Sequence, residues 1–356
     1  LSLQKTSFGK GKTKDGRDTS YKEMMEIQSL PSCFGIGIST FDREFAGGSS
    51  NQVYRLEMLL DKKLFSLFTY DSIPFDKARY INCYTDLSPK LKSNKIQKYF
   101  RSKNEDLEML ITNNNNGEVV LMDTLIHRLD FIVYDFAGNK EEVTIYVQNK
   151  KSVASSAQIN KQYDCLTALN LEKTDYKVTI PEKTFYNDFN LSVEVKKATG
   201  KSCSNILIVK GVSPPLFKGI DIGLKPIGVR EDLIGKLFVT EAGAYCGGEY
   251  NNGFVVGKSK NLGSFTLAYD TVAPLIKPNK LSSGSIISFQ VSDQLSGIDK
   301  FRMEINGKWV PSEYEHKKNT IFYLPDESLK KGKMEIVLKV WDKKGNLSTA
   351  RVNRGS

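Results

Sequence analysis

Histidine is nearly missing from this sequence: 356 residues carry two, His127 and His316. Zinc centres and imidazole-based catalysis need His, Cys or carboxylate partners at fixed spacings, and neither histidine has them. The residue four after His127 is Phe131, the residue four after His316 is Thr320, and no His-x-His occurs. Cys-x-x-Cys is also absent, which removes the common metal-clip and thioredoxin-type redox chemistry. No Gly-x-Ser-x-Gly signals a nucleophile elbow. The glycine-rich pieces Gly9-Lys10-Gly11-Lys12 and Gly247-Gly248 lack the strand before and the helix after that a phosphate loop needs. Long apolar runs are missing as well. No stretch approaches the ~20 residues that a membrane-spanning helix requires. Helical periodicity is nearly absent, apart from a short candidate over residues 20–27.

What is present is an ordinary globular composition, with 40% hydrophobic and 26% charged residues. The length suits two or three domains with sizeable cores. The net charge is +10. Lys5, Lys10, Lys12, Lys14, Arg17 and Lys22 concentrate it in a basic amino-terminal arm. Such an arm reads as a solvated segment, or as a contact for anionic partners such as a membrane surface. Zinc-finger spacing, RNP aromatics and basic heptads are all lacking, so nucleic acid is not an expected partner. The chain opens Leu1-Ser2-Leu3, without an initiator Met or a leader, and reads as a mature or trimmed piece of a longer product. Cys33, Cys83, Cys165, Cys203 and Cys246 make an odd count. They read as buried thiols, with room for one disulfide among the middle three in an oxidising compartment.

Strand alternation is the dominant pattern. Ile287, Phe289 and Val291 alternate with Ser288, Gln290 and Ser292. Phe301, Met303 and Ile305, then Met334, Ile336, Leu338 and Val340, repeat it. A period of two places one set of side chains on a core face. Asn306-Gly307 tolerates positive φ at both positions and predicts a type I′ hairpin. The amino-terminal part repeats the plan. Tyr134-Asp135-Phe136-Ala137-Gly138-Asn139 matches Trp341-Asp342-Lys343-Lys344-Gly345-Asn346 as aromatic-Asp-x-x-Gly-Asn. Gly37 to Asp42 likewise parallels Phe289 to Asp293. Asp135, Gly138, Asn139, Asp342, Gly345 and Asn346 are read as structural turn residues. Asp caps the turn through its side chain and Gly supplies the positive φ. Calcium is set aside at these turns and at Asp293 to Gly297, because each offers too few carboxylates for a shell of roughly 6–8 oxygens. No catalytic residue, metal site or cofactor is assigned.

The sequence predicts an all-β chain of three tandem sandwich modules, 1–150, 151–271 and 272–356. The first carries an insertion at about 70–104, in which the stretch from Ile96 to Phe100 suits a helical turn. Seven short strand candidates between Tyr176 and Ala268 form the second. Linkers are read at 149–156 and 270–274, where Pro274 fixes an extended backbone. Tyr80, Tyr84, Tyr99 and Phe100 read as core-closing aromatics, with a sugar- or peptide-binding face as the other reading.

Asp270-Thr271-Val272-Ala273-Pro274, Val291 to Ile298 and the Trp341 to Asn346 turn resemble bacterial immunoglobulin-like modules. The order of Phe34 to Ile38, Pro74 to Asn82, Ile180 to Asp188, Pro214-Pro215-Leu216 and the final module is similar to the carboxy-terminal region of LytM/lysostaphin-type (family M-23) zinc peptidases of Bacteroidetes. That resemblance implies a zinc endopeptidase domain upstream of Leu1, with zinc only there. The family's His-x-x-x-Asp and His-x-His ligands match no position here, so the chain itself is expected to be non-catalytic. The resemblance further implies a periplasmic or outer-membrane-associated location. The expected role is an accessory or scaffolding region that engages envelope proteins or peptidoglycan, the alternative being a structural subunit or adhesin-like binding protein with no catalytic domain.

Overall fold

The computed structural model describes residues 27–43, 50–86, 96–112, 115–149, 162–198, 202–211, 216–279, 286–325 and 333–354, with short paired strands at Gly11–Lys12 and Asp18–Thr19. The remainder of the basic arm and the helical candidate up to residue 26 lie outside the described residues, as does most of the linker after Asn149. The described chain is built of strands and short 3-10 turns. No described helix is long and apolar enough to cross a membrane. The chain divides into two compact units. The first is Leu1–Leu166 with Phe185–Phe189 and Ser213–Phe217, and the second is the rest.

A six-stranded sheet organises the first unit. Its order is Leu110–Thr112, Lys63–Thr69, Arg55–Leu60, Ile126–Tyr134, Lys140–Asn149 and Ile27–Leu30. All neighbours are antiparallel except the last pair, which runs parallel. Leu56, Met58, Phe68, Leu129 and Phe131 point inward at the strand period, and Tyr80, Tyr84 and Tyr99 complete the same core. The three tyrosines thus belong to packing. Phe100 is only partly buried, with its ring packed where Gly35 has no Cβ.

The helical turn expected from Ile96 to Phe100 is not there. Ile96–Lys98 is a strand that pairs with Thr85–Asp86 and with Gly37–Ile38. Its burial alternates residue by residue, with Gln97 and Tyr99 inward, which is the period of a strand and not of a helix. The 3-10 segment lies earlier, at Phe75–Tyr84, begun by Pro74 with its fixed φ.

In the second unit, one sheet runs Leu169–Glu172, Tyr176–Ile180, Ile220–Leu224, Phe254–Ser259, Glu249–Asn251. A second sheet includes Ile206–Gly211, Ser264–Tyr269, Leu237–Glu241 and Ala244–Tyr245. At Gly257 the backbones come close. A Cβ there would sit 2.8 Å from the Val239 Cβ and 2.7 Å from the Cys246 carbonyl oxygen. Only glycine allows that approach.

Two four-stranded sheets follow. The first is Leu275–Pro278, Ile287–Ser292, Thr320–Tyr323, Glu313–Glu315, and the second is Lys308–Val310, Ile298–Ile305, Met334–Asp342, Leu347–Arg354. Ile287, Phe289, Val291 and Ile321 of one and Met303, Ile305, Ile336, Leu338 and Val340 of the other share one core. Asn306 and Gly307 take φ of 50° and 78°, as their hairpin requires.

The internal repeat extends to topology. Lys63–Thr69, Arg55–Leu60, Ile126–Tyr134 and Lys140–Asn149 follow the same order and sense as Lys308–Val310, Ile298–Ile305, Met334–Asp342 and Leu347–Arg354. The other half of the parallel does not extend this far. Gly37–Ile38 pairs with the insertion strand Ile96–Lys98, whereas Ile287–Ser292 pairs with Leu275–Pro278 and Thr320–Tyr323.

Candidate functional site

A dense polar cluster of the second unit forms around the turn after Met334–Asp342. The strand delivers Asp342 inward, 1% exposed, and Gly345 turns the chain at φ 74°. Asp342 Oδ1 accepts the amides of Lys344 and Asn346, both at 2.8 Å. Its Oδ2 accepts Asn346 Nδ2 at 2.7 Å. Asp270, fully buried, receives the amide of Val272 on one oxygen and the Ser296 amide and hydroxyl on the other. Asp293 accepts the amides of Leu295 and Gly297.

Lysines close the cluster. Lys236 Nζ donates to the Lys344 carbonyl and to Asn346 Oδ1, each at 2.7 Å. Lys344 Nζ donates to the Gly248 carbonyl at 2.7 Å. Burial first, and then the neighbouring Lys236 ammonium, pull the Lys344 amine below its usual range. Asn346 Nδ2 also donates to the Asp270 carbonyl, and Lys343 Nζ stands 4.8 Å over the Tyr245 ring. The turn is therefore clasped by strands and loops on both sides of the 270–274 linker.

Carboxylate oxygens of Asp270, Asp293 and Asp342 lie within 4.8 Å of one another. These are the residues that could hold a cation here. Reading each turn by itself missed this convergence, because the three come from separate segments. The shared signal was that each Asp ends or directly follows a strand. Backbone amides, a hydroxyl and an asparagine amide already serve these carboxylates, and the Lys344 ammonium lies close enough to feel two of them. A second acidic group, Asp164, Cys165 and Asp188, has its cation in place. Lys103 Nζ lies 2.9 Å from Asp164 and 2.8 Å from Asp188.

The first copy of the turn has the same internal bonds in an open setting. Asn139 N and Nδ2 donate to the two oxygens of Asp135 at 2.8 and 2.6 Å. Gly138 has φ 90°, and nothing lies within 4 Å of where a Cβ would stand. Phe136 is 85% exposed and touches Tyr54 edge-on.

The histidines and cysteines do not converge on any chemistry. His127 is pinned between two carboxylates, with Nδ1 2.7 Å from Asp61 Oδ2 and Nε2 2.9 Å from Asp123 Oδ1. Asp61, at positive φ in the turn between Arg55–Leu60 and Lys63–Thr69, was the partner that spacing did not reveal. His316 packs against Tyr314 with the two rings tilted by 57°. All five cysteines are free thiols, including the three middle ones considered for a disulfide. Burial raises every one of them, Cys83 to about 12 and Cys165 to about 11. A raised thiol is a poor nucleophile at neutral pH. Among the described residues no nucleophile, base and orienting group stand together.

No curated protein matches the sequence. Two solved structures that align with most of the chain are the SGBP-B protein of the Bacteroides ovatus mixed-linkage glucan utilization locus, in complex with a mixed-linkage heptasaccharide, and a Ca2+-stabilized adhesin with which an Antarctic bacterium binds ice. The first is 9% identical over 94% of this chain and 67% of that chain, with a TM-score of 0.16. The second is 10% identical over 91% and 68%, with a TM-score of 0.17. Both scores are too low to define a shared fold. Residues 161–270, a minority of the chain, match the family model described as the Zu5-like domain.

Proposed function

We propose that this chain is a non-catalytic binding or adhesin-like region of a cell-envelope protein, built from immunoglobulin-like sandwiches around a Zu5-like domain. One observation carries the reading. The polar groups that chemistry would need are consumed in holding structure: the Asp342 and Asp270 carboxylates in the clasp, His127 between two aspartates, and the Cys83, Cys165 and Cys203 thiols by burial. Polar residues spent this way favour a role carried by surfaces. Partners under this reading are envelope proteins, peptidoglycan or an anionic membrane face. The test is sedimentation of the purified chain with isolated bacterial envelopes and with purified peptidoglycan. Binding to either, without release of soluble fragments, is the expected result. Recovery of all the protein in the supernatant overturns the reading.

The resemblance to LytM/lysostaphin-type peptidases supplies a second reading, in which this chain positions an upstream zinc domain. It rests on the order of the sequence pieces that run from Phe34 to the final module. Intact mass and zinc content of the endogenous protein decide it. An extra zinc-carrying domain supports it, and a native mass near 40.0 kDa without zinc overturns it.

A further inference from the structure

The sequence has two tryptophans, and both stand on the outer face of one sheet. Trp309 sits opposite Glu304, and Trp341 opposite Lys300. The inner face of the same strands is the core of Met303, Ile305, Ile336, Leu338 and Val340, so the alternation puts the tryptophans on the outward face. Trp309 is 58% exposed, Trp341 is half-buried, and Leu347, opposite Trp341, is 47% exposed. Tryptophan carries a large apolar surface, and leaving it in water forgoes its burial. Two on one face form a patch of the kind that marks an interaction site.

Charge surrounds the two rings. Lys300 Nζ lies 5.4 Å over the Trp341 ring. Arg302 Nε is 2.6 Å from Glu304, and Lys339 is 4.0 Å from the same carboxylate. Arg351 is 3.1 Å from Glu335. Lys300, Arg302, Lys339 and Arg351 therefore outnumber Glu304 and Glu335 on this face. Arg302 first, with Lys339 and Arg351 adding to it, holds the Glu304 carboxyl below its usual range, so it stays a charged acceptor.

The geometry points to this face as the binding site of an acidic polysaccharide. It rests on the binding reading above and names its ligand class. Sugar rings present C–H faces that stack on aromatic rings, whose own faces are electron-rich. Their hydroxyls need both donors and acceptors, which the interleaved lysines, arginines and glutamates provide. The surplus of cations selects a glycan carrying carboxylate or sulfate groups. The two tryptophans are roughly 17 Å apart, from ~3.4 Å per residue along a strand and ~4.8 Å between strands. One sugar ring cannot span that gap, so an oligosaccharide is required. Single-stranded nucleic acid fits less well. It stacks on successive aromatics along a uniformly basic groove, and here the rings are far apart and glutamates lie between the cations.

The experiment uses the full chain and its own tryptophan emission, which reports from this face alone. The titrants are a polygalacturonate oligomer, a neutral galactan oligomer of equal length and a single-stranded oligonucleotide of equal charge. Saturable quenching by the acidic glycan, weakened by salt, is expected. By calorimetry, Trp309→Ala and Trp341→Ala should each weaken it about tenfold, and Lys339→Glu should weaken it further at low salt. Equal binding of the neutral glycan overturns the acidic class. Tighter binding of the oligonucleotide, or affinity unchanged in both tryptophan variants, overturns the site. Envelope sedimentation of the double variant separates the two readings. Retained sedimentation rejects this face and keeps the binding role, whereas a wild-type chain that never sediments rejects the binding role itself.

Discussion

Lys236 Nζ sits 2.7 Å from Asn346 Oδ1, joining residues 110 positions apart across the Asp270–Pro274 linker. The same ammonium also donates to the Lys344 carbonyl, so one side chain fastens the middle and the end of a turn. Lys236→Met keeps the stem and removes the donors. A loss of about 2 kcal/mol is expected, from hydrogen bonds to a charged group. Urea unfolding checks it, and an unchanged midpoint shows that the clasp carries no net stability.

The two copies of the aromatic-Asp-x-x-Gly-Asn turn should respond unequally to one substitution. Asp342→Ala removes a buried carboxylate that serves three part-buried donors, one of which keeps its bond to the Asp270 carbonyl, and should cost about 2 kcal/mol. Asp135→Ala releases its donors to water in an exposed turn and should cost clearly less. Paired thermal or denaturant melts give the comparison directly. Equal losses would show that burial is not what separates the copies.

A pH dependence follows from His127. The hydrogen bond to Asp61, and then that to Asp123, raise it above 6.5 despite some burial. Its protonated form is favoured on folding, so its stabilisation is complete below 6.5 and is lost as pH rises through the raised value. Asp123 is held below 3.8 by the Leu125 amide and then by His127. Burial pushes Asp61 upward, but His127 and the Arg128 amide outweigh it and leave it lowered. The aspartate contribution is therefore present above 3.8 and lost as pH falls through the depressed values. His127→Gln should cost less than about 1 kcal/mol near pH 6 and progressively less toward about pH 9. A cost that does not change across that range rules out the charged pairing.

Thiol chemistry offers a third contrast. Cys33 is exposed, whereas Cys83, Cys165 and Cys203 are buried. An aromatic disulfide reagent at about pH 8 should label Cys33 first and reach the three buried thiols only on unfolding. Peptide mapping of the labelled sites reads the order. Rapid labelling of Cys83 in the native protein would mean its surroundings open readily.

Gly257→Ala tests the close approach inside the second unit. The added methyl meets backbone at 2.7 Å, which no rotamer change relieves. A loss of about 1–3 kcal/mol is expected from overpacking. Gly138→Ala adds a methyl where space is open, so only its positive φ resists the change, and it should cost about 1 kcal/mol.

Strands were legible wherever burial is one-sided. Ile287, Phe289 and Val291 lie in the core as their alternation predicts, and Asn306-Gly307 makes its hairpin. Ile96 to Phe100 misled because a five-residue stretch of mixed residues satisfies two periods at once. Its pairing with Gly37–Ile38 across about sixty residues is a tertiary fact that no local window contains. The convergence of Asp270, Asp293 and Asp342 has the same origin. Each was visible at a strand end, and only the fold shows that the ends meet. The outward tryptophans were written in the same alternation that predicted the core, on the positions opposite to it.

The clasp around Asp270 also has a mechanical consequence. Its carbonyl is held by Asn346, its two carboxylate oxygens by Val272 and Ser296, and the adjoining Pro274 carbonyl by Ser348. A tether fastened at both Asp270 and Pro274 has little slack. Load applied along the chain would pass through Asp270, where several bonds share it before the linker can extend. Such a joint resists pulling where a free peptide would stretch.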